Sequence, residues 1–514
     1  MLTFGCCLPG PSRHTHTQTR VCSEDGQAAT MAPGWLCWAL LLLLPAPLRA
    51  AGPGPVLVNR PFVTVWNVPS EPCEHEYNIS LPLEVFDVVA NKEEAFMGQD
   101  IALFYSSRLG LFPYYTAQGQ PVDGGLPQNA SLAAHLQQAR RDIEAALPSA
   151  TAGGLAVIDW EQWRPLWARD WGSMDIYRKK SEELVQQQHP LWPPSRVQEV
   201  AQQQYQKAAR AFMEQTLQLG EAVRPAAYWG FYGFPDCYNN DFSSPQYNGS
   251  CPVLEQQRNQ ELGWLWNCSR ALYPSIYLPQ QLQGTNKVLR YVRYRVAEAF
   301  AVQKGVLSSA IPVLPYTEIF YDDTSDFLSE DLVNTIGESA AQGAAGIIIW
   351  GSSEKCMKLR DYLDGVLGHY IVNVTTSAQL CSHSLCSGNG RCVRREGRLA
   401  FLQLDPGHFA INLKAKKPQP MVWLLTANSD VSRLAEDFTC QCYSGWLSCG
   451  NNRAPSKGWL CLLSFIRKQA QTELPGEILH SAYLDPSVLC TCTNHTCQTD
   501  CTSPGLPAEA EPHP

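Results

Sequence analysis

The chain is short of charge, and the charge it has is not basic. Charged residues occupy 17% of its 514 positions, and acids outnumber Lys and Arg to give a net charge of −9. A field of that sign argues against general nucleic-acid binding, and it obliges any polyanionic partner to be met by a local groove. Long apolar runs are also missing. Trp35–Leu44 is a short apolar stretch followed by helix-breaking Pro45 and Pro47, and no other segment is long enough to span a bilayer. No Gly-rich loop follows the first strand candidate, which weighs against a nucleotide-binding open sheet. No CxxC pair recurs at zinc-finger spacing. With 45% hydrophobic residues, the composition is that of a globular protein.

Twenty cysteines without such metal spacing point to disulfides and an oxidising compartment. Sequons at Asn78, Asn129, Asn248, Asn267, Asn373 and Asn494 point the same way. The apolar stretch reads as a signal peptide starting at Met31 and ending in small residues near Ala50–Gly52. Residues 1–30 then form an upstream extension and residues 31–52 the leader.

The most informative segment is GLAVIDWEQWRPLWARDW, Gly154–Trp171. Leu155–Ile158 are apolar on both faces, as a buried parallel strand requires. Residues two apart share a strand face, so Asp159 and Glu161 project side by side where the strand leaves the core. Two neighbouring carboxyls resist joint ionisation and tend to keep one proton between them. That supplies the acid and anion needed for glycosidic cleavage. The alternative is a structural pair salt-bridged to Arg164 or Arg169.

Strand candidates recur at Phe62–Trp66, Val85–Val89, Ala102–Tyr105, Leu155–Trp160, Tyr228–Tyr232, Ser275–Tyr277, Val313–Phe320 and Gly346–Trp350. Helical periodicity fills the gaps, as in Arg196–Leu219. This alternation predicts an α/β fold, a distorted TIM-like (β/α) barrel over residues 53–375, with a doubly wound sheet as the competing architecture. Barrel sites gather at the C-terminal strand ends, where Tyr105, Asp159, Glu161, Tyr232, Tyr277, Asp322 and Trp350 fall. Aromatic faces and acids together suit a sugar cleft. From Ser377 the character changes to Cys-rich loops, resembling an interrupted epidermal-growth-factor-like module over residues 376–450. The tail, 451–514, has no periodic pattern; its CTCTNHTCQTDC run suits a metal-binding or knotted cluster, or unrelated translated sequence.

Seven ordered segments then carry a family resemblance: NRPFVTVWNVPS, LFYSSRLGLFPYYT, GGLPQNASL, GLAVIDWEQWRPLWARDW, YWGFYGFPDCYNNDF, RALYPSIYLP and GESAAQGAAGIIIWG. Together they resemble the mammalian hyaluronidases of glycoside hydrolase family 56, nearest the acid-active somatic type, over roughly three quarters of the chain. The resemblance implies cleavage of the β-1,4 bond between N-acetylglucosamine and glucuronate in hyaluronan, by a retaining mechanism in which the substrate's acetamido group is the nucleophile. It implies Glu161 as acid/base, Asp159 as its partner, and Tyr277 beside Asp159 on the acetamido group. Tyr105, Tyr232, Ser275, Arg295, Asp322 and Trp350 become the substrate-binding set, with Arg295 suited to a glucuronate carboxylate. The alternative for Arg295 is an exposed helix arginine. The implied disulfides are Cys73–Cys356, Cys237–Cys251, Cys381–Cys392 and Cys386–Cys440, with a shortened Cys442–Cys449 loop.

No metal or cofactor is expected, and no membrane span or anchor. The expected product is a monomeric secreted or lysosomal enzyme acting on hyaluronan, and a tolerant cleft would take chondroitin too. A hyaluronan-binding, inactive or poorly secreted isoform is the alternative, because the module is shortened and Cys268 stands inside a sequon.

Overall fold

The computed structural model describes residues 54–444 apart from short stretches within 90–99 and at 306–310, 354, 406–408, 413–420 and 425–426, together with Cys449 and the pairs 492–493 and 496–497. The leader, the extension before it and nearly all of the tail expected from the sequence lie outside those residues.

Seven short strands alternate with helices: β1 Val63–Trp66, β2 Val88–Val89, β3 Ile101–Tyr105, β4 Leu155–Asp159, β5 Tyr228–Phe231, β6 Tyr316–Glu318 and β7 Gly346–Trp350. All their pairings are parallel, in two ladders ordered β2-β1-β7-β6 and β3-β4-β5. Residues 272–275 join the ladders: Tyr273 bridges Tyr232 on one side, while Leu272 and Ser275 bridge Val313 and Tyr316 on the other. The expected strand at Ser275–Tyr277 is thus a bridging segment that starts earlier. The Val85–Val89 candidate is a 3₁₀ turn followed by two paired residues.

Period-two alternation decides what fills the barrel. Val63, Val65, Val88, Ile101, Leu155, Val157, Tyr316 and Ile348 form one buried cluster inside it, so the interior is packed rather than open. The intervening residues, such as Ala156 and Ile158, face a second cluster shared with the outer helices. Strand backbones approach closely enough to require glycine in places. A Cβ on Gly346 would collide with the Val63 carbonyl of the neighbouring strand.

The outer layer includes α1 Leu132–Ala146, α2 Asp175–Gln188, α3 Pro194–Val223, α4 Val253–Glu261, α5 Val288–Lys304 and α6 Gly368–Cys386. Helix α1 begins where the Ser131 side chain accepts from the Ala134 N–H. Helix α3 begins with proline at its first helical position and buries Val197, Ala201, Tyr205, Phe212 and Leu217 at helical spacing. No helix among the described residues is long and apolar enough to cross a membrane.

The sequence places a domain boundary at 375/376, but the continuous helix α6 runs through that point. Apolar periodicity carries straight from the barrel into the Cys-rich region, so no linker separates them. Helix α6 leads to β8 Gly390–Arg394, which pairs antiparallel with β9 Phe438–Cys442. Disulfides join Cys73–Cys356, Cys237–Cys251, Cys381–Cys392, Cys386–Cys440 and Cys442–Cys449. A fully buried Glu338 clamps the region to the barrel, accepting from Arg293 of α5 at 2.8 Å and from Arg394 of β8 at 2.6 Å. Cys268 carries no disulfide and is half-buried. Asn78, Asn129, Asn248 and Asn267 are exposed, whereas Asn373 is half-buried and accepts from the Leu404 N–H at 2.8 Å. Asn494 lies outside the described residues.

Gly346→Ala is expected to destabilise the fold by about 1–3 kcal/mol, the usual cost of overpacking. A urea-unfolding midpoint unchanged from the native chain would contradict this close approach of β1 and β7.

Candidate active site

The same alternation that packs the barrel builds the site. Leu155 and Val157 point inward, so Asp159 at the end of β4 takes the inward face above them. Counting two residues on from the inward members of each neighbour gives Tyr105 after Leu103 and Trp350 after Ile348. Tyr273 leads likewise to Ser275 and Tyr277, and Tyr316 to Glu318. Parallel register sets these at one level: Tyr105 lies opposite Asp159, and Glu318 opposite Trp350. Tyr232 follows β5, with its ring 5.0 Å from Tyr316 and 6.1 Å from Tyr277. The result is a polar, aromatic layer capping an apolar interior. Tyr105, Asp159, Tyr232, Ser275, Tyr277, Glu318 and Trp350 are half-buried, and Glu161, two residues past Asp159, is exposed above them.

Electrostatics follow from that placement. Burial pushes the Asp159 carboxyl up to about 7, and the neighbouring Glu161 adds to the shift while Arg164 opposes it. Asp159 Oδ1 is buried and has no hydrogen-bond partner among the described residues. Burial also pushes the Tyr105 phenol up to about 12, reinforced by Asp159. Tyr232 and Tyr277 are raised by burial as well, so all three phenols stay protonated and can donate.

The alternative of a structural pair tied to Arg164 or Arg169 does not describe this arrangement. Arg169 is buried elsewhere, 3.0 Å from Glu255 and 2.9 Å from Asn259. Arg164 donates to the Glu161 backbone carbonyl at 3.1 Å, and its own N–H donates to Asp170 at 2.7 Å. It therefore shapes the loop that carries Glu161.

Arg295 is not the exposed helix arginine of the alternative reading. It is 7% exposed, and its guanidinium donates to Asn239 at 3.0 Å, to Asn240 at 3.0 Å and to the Ser275 carbonyl at 3.1 Å, with Asp236 at 3.3 Å. Through these bonds it holds the loop after β5 against the Ser275 segment. Asp322 is half-buried and brought beside that segment by its N–H bond to the Leu278 carbonyl, 2.9 Å. Burial and Asp323 raise its carboxyl, and Arg295 opposes them.

Two members of the layer went unremarked in the sequence. Asn67 continues the inward face of β1 after Val63 and Val65; it is fully buried, with neither side-chain polar atom hydrogen-bonded among the described residues. Glu318 ends β6, and burial followed by Asp322 and Asp323 pushes its carboxyl up to about 7. The available signal was the period-two count from each strand, applied to every strand end rather than to the acidic motif alone.

A barrel whose C-terminal rim gathers paired carboxyls, protonated phenols and an indole defines a glycoside hydrolase site. Comparison with known proteins gives the particular family. A profile of the glycoside hydrolase family 56 hyaluronidases matches residues 51–453. Human Hyaluronidase-1 is 52% identical over 401 residues, covering 76% of this chain and 92% of that protein. Mouse Hyaluronidase-1 is 51% identical over 401 residues, covering 76% of this chain and 87% of that protein. A crystal structure of bee venom hyaluronidase in complex with a hyaluronic acid tetramer superposes with a TM-score of 0.55 at 34% identity, covering 60% of this chain and 98% of that one. The chain belongs to glycoside hydrolase family 56, the hyaluronidases, and is a glycosidase of the hyaluronoglucosaminidase type.

The buried carboxyls make stability depend on pH. Asp159, Asp170 and Glu318 are each pushed up to about 7, chiefly by burial, from ordinary values of 3.8, 3.8 and 4.5. The fold binds their protons more tightly than the unfolded chain does, so stability falls as pH rises from about 4 through about 7. Buried His135, pushed down to about 4 from 6.5, acts in the opposite sense and offsets one of the three. The unfolding temperature is expected to be higher at pH 5 than at pH 7.5; the reverse order contradicts these assignments.

Proposed function

We propose that this hyaluronidase is an endo-β-N-acetylglucosaminidase that hydrolyses the β-1,4 bonds of hyaluronan with retention, the substrate's acetamido group serving as nucleophile. The observation that carries the reading is the placement of both carboxyls on one strand end. Carboxyls that attack a bond from opposite sides stand about 5–9 Å apart across a cleft, and two neighbours on one strand are ill placed for that. They are well placed to serve an internal nucleophile.

Glu161, exposed at the mouth, protonates the glycosidic oxygen. The acetamido carbonyl oxygen attacks the anomeric carbon as that bond breaks, giving a cyclic oxazolinium ion. Asp159, its proton passed to Glu161 as the substrate binds, accepts the acetamido N–H through its unpartnered Oδ1 and balances the developing positive charge. Tyr277 steadies the same group by donating from its phenol. Glu161, now a carboxylate, takes a proton from water as the water opens the ring, and the β configuration is restored. Trp350, Tyr105 and Tyr232 offer faces and hydroxyls to the sugars, and Asp322 their hydroxyl partner. Ser275 completes the wall, while Arg295 acts from beneath it as a positioning residue.

An Asp159 carboxyl pushed up to about 7 by burial suits an enzyme active in acid. Five disulfides and four exposed sequons support a secreted or lysosomal location. The Cys-rich end is proposed as a growth-factor-like module, resting on its β8–β9 pair and the bridges around it. A monomer acting on hyaluronan, with chondroitin as a slower substrate, completes the reading; no part of the chemistry calls for a metal or cofactor.

Size-exclusion profiling of high-molecular-weight hyaluronan after incubation at pH 4.5 tests this. The native chain is expected to shorten it to even-numbered oligosaccharides. Glu161→Gln is expected to lose about 10²–10⁴-fold in rate while keeping its unfolding temperature. Saturable binding without shortening by the folded native chain would make it a binding protein instead.

A further inference from the structure

Outside the Asp159–Glu161 pair, one acid on the rim has no role in the chemistry above. Glu318 shares the inward face of β6 with Tyr316 and lies opposite Trp350 in the parallel register. Among the described residues its carboxylate has no hydrogen bond or ion pair. The charged and titratable groups that face it are Asp322 and Asp323 from the loop after β6 and the Tyr277 phenol from the Ser275 segment; Trp350 from β7 does not titrate. Buried Arg295 offsets Asp322 but is engaged with Asn239, Asn240, Asp236 and the Ser275 carbonyl. Among the described residues, one wall of the cleft therefore carries a half-buried acid without a counter-charge, between the indole and phenol on which a sugar would lie.

We propose that Glu318 is a charge gate for the polyanionic substrate: with N-acetylglucosamine held by Asp159 and Tyr277, the adjoining uronate settles beside the Trp350–Glu318 wall only when the Glu318 carboxyl is neutral. This rests on the hyaluronan reading, whose polymer carries one carboxylate per disaccharide. A substrate carboxylate brought beside an ionised Glu318 meets a like charge in a partly desolvated site, which weakens binding. Burial keeps Glu318 protonated in acid and lets it ionise near neutrality. Acid pH then acts twice, on turnover through the Asp159–Glu161 pair and on substrate capture through Glu318.

The two are separated by measuring KM and kcat from pH 4.5 to 7.5 for the native chain and for Glu318→Gln, an isosteric change. Each is measured on hyaluronan and on carboxyl-reduced hyaluronan, in which the uronate has become a neutral sugar. On hyaluronan the native KM is expected to rise between pH 5 and 7, on the order of three- to tenfold more steeply than that of E318Q. The fall of kcat with pH is expected in both proteins. On the neutral polymer the two KM profiles should coincide. Equal KM slopes on hyaluronan overturn the proposal, as does a difference that persists on the neutral polymer, which would mark a role in shape alone. A native chain that leaves hyaluronan intact at every pH refutes the substrate reading and this gate with it.

Discussion

The parallel register of the barrel strands is the constraint on which the rest depends. With Ile101 opposite Leu155 and Tyr105 opposite Asp159, side chains from separate strands end at one height. Because every second residue below them is apolar and inward, the first polar residues on that face emerge together as the strands leave the core. A one-residue slip would turn Asp159 outward toward the helices and bring Ile158 into the cleft. The catalytic geometry is therefore specified by burying Leu155 and Val157, and the apolar interior is part of the active site's construction.

Desolvation from that interior sets the chemistry of the layer above it. Asp159 sits on apolar side chains, keeps one oxygen without a hydrogen-bond partner among the described residues, and is pushed up to about 7 by burial. Beneath the rim, a buried polar network fixes the loops. Arg169 links Glu255 and Asn259; Asn259 donates to Glu298 at 2.7 Å and to the Asp236 carbonyl at 2.9 Å, and Asp236 meets Arg295. Removing one member would leave a buried charge unpaired, so such a network is a source of local rigidity more than of net stability.

Much of the fold was legible because it is periodic. The run Leu155–Ile158 announces a buried strand and then a carboxyl pair on one face, and the helix around Arg196–Leu219 is written in its apolar spacing. Strand limits were less legible where pairing is sparse, as at Ser275–Tyr277, where single bridges replace a ladder. The 375/376 boundary followed a change of composition, while helix α6 crosses it because its buried face continues from Ile371 and Val374 to Ala378 and Cys381. Arg295 shows what local sequence leaves open. Its helical position was plain, but its burial is decided by Asn239 and Asn240, more than fifty residues away. Glu318 lay within a segment already read as a strand and Asn67 one residue past the end of another, and only the inward count around the whole barrel brings them to the site.

The central claim is that two carboxyls on one strand end serve a nucleophile supplied by the substrate. It is tested most directly by NMR observation of the first product released from a hyaluronan oligosaccharide, before the anomers equilibrate. The account predicts the β-anomer at the new reducing N-acetylglucosamine. Initial release of the α-anomer would mean direct attack by water, and would contradict the roles given to Asp159 and Glu161.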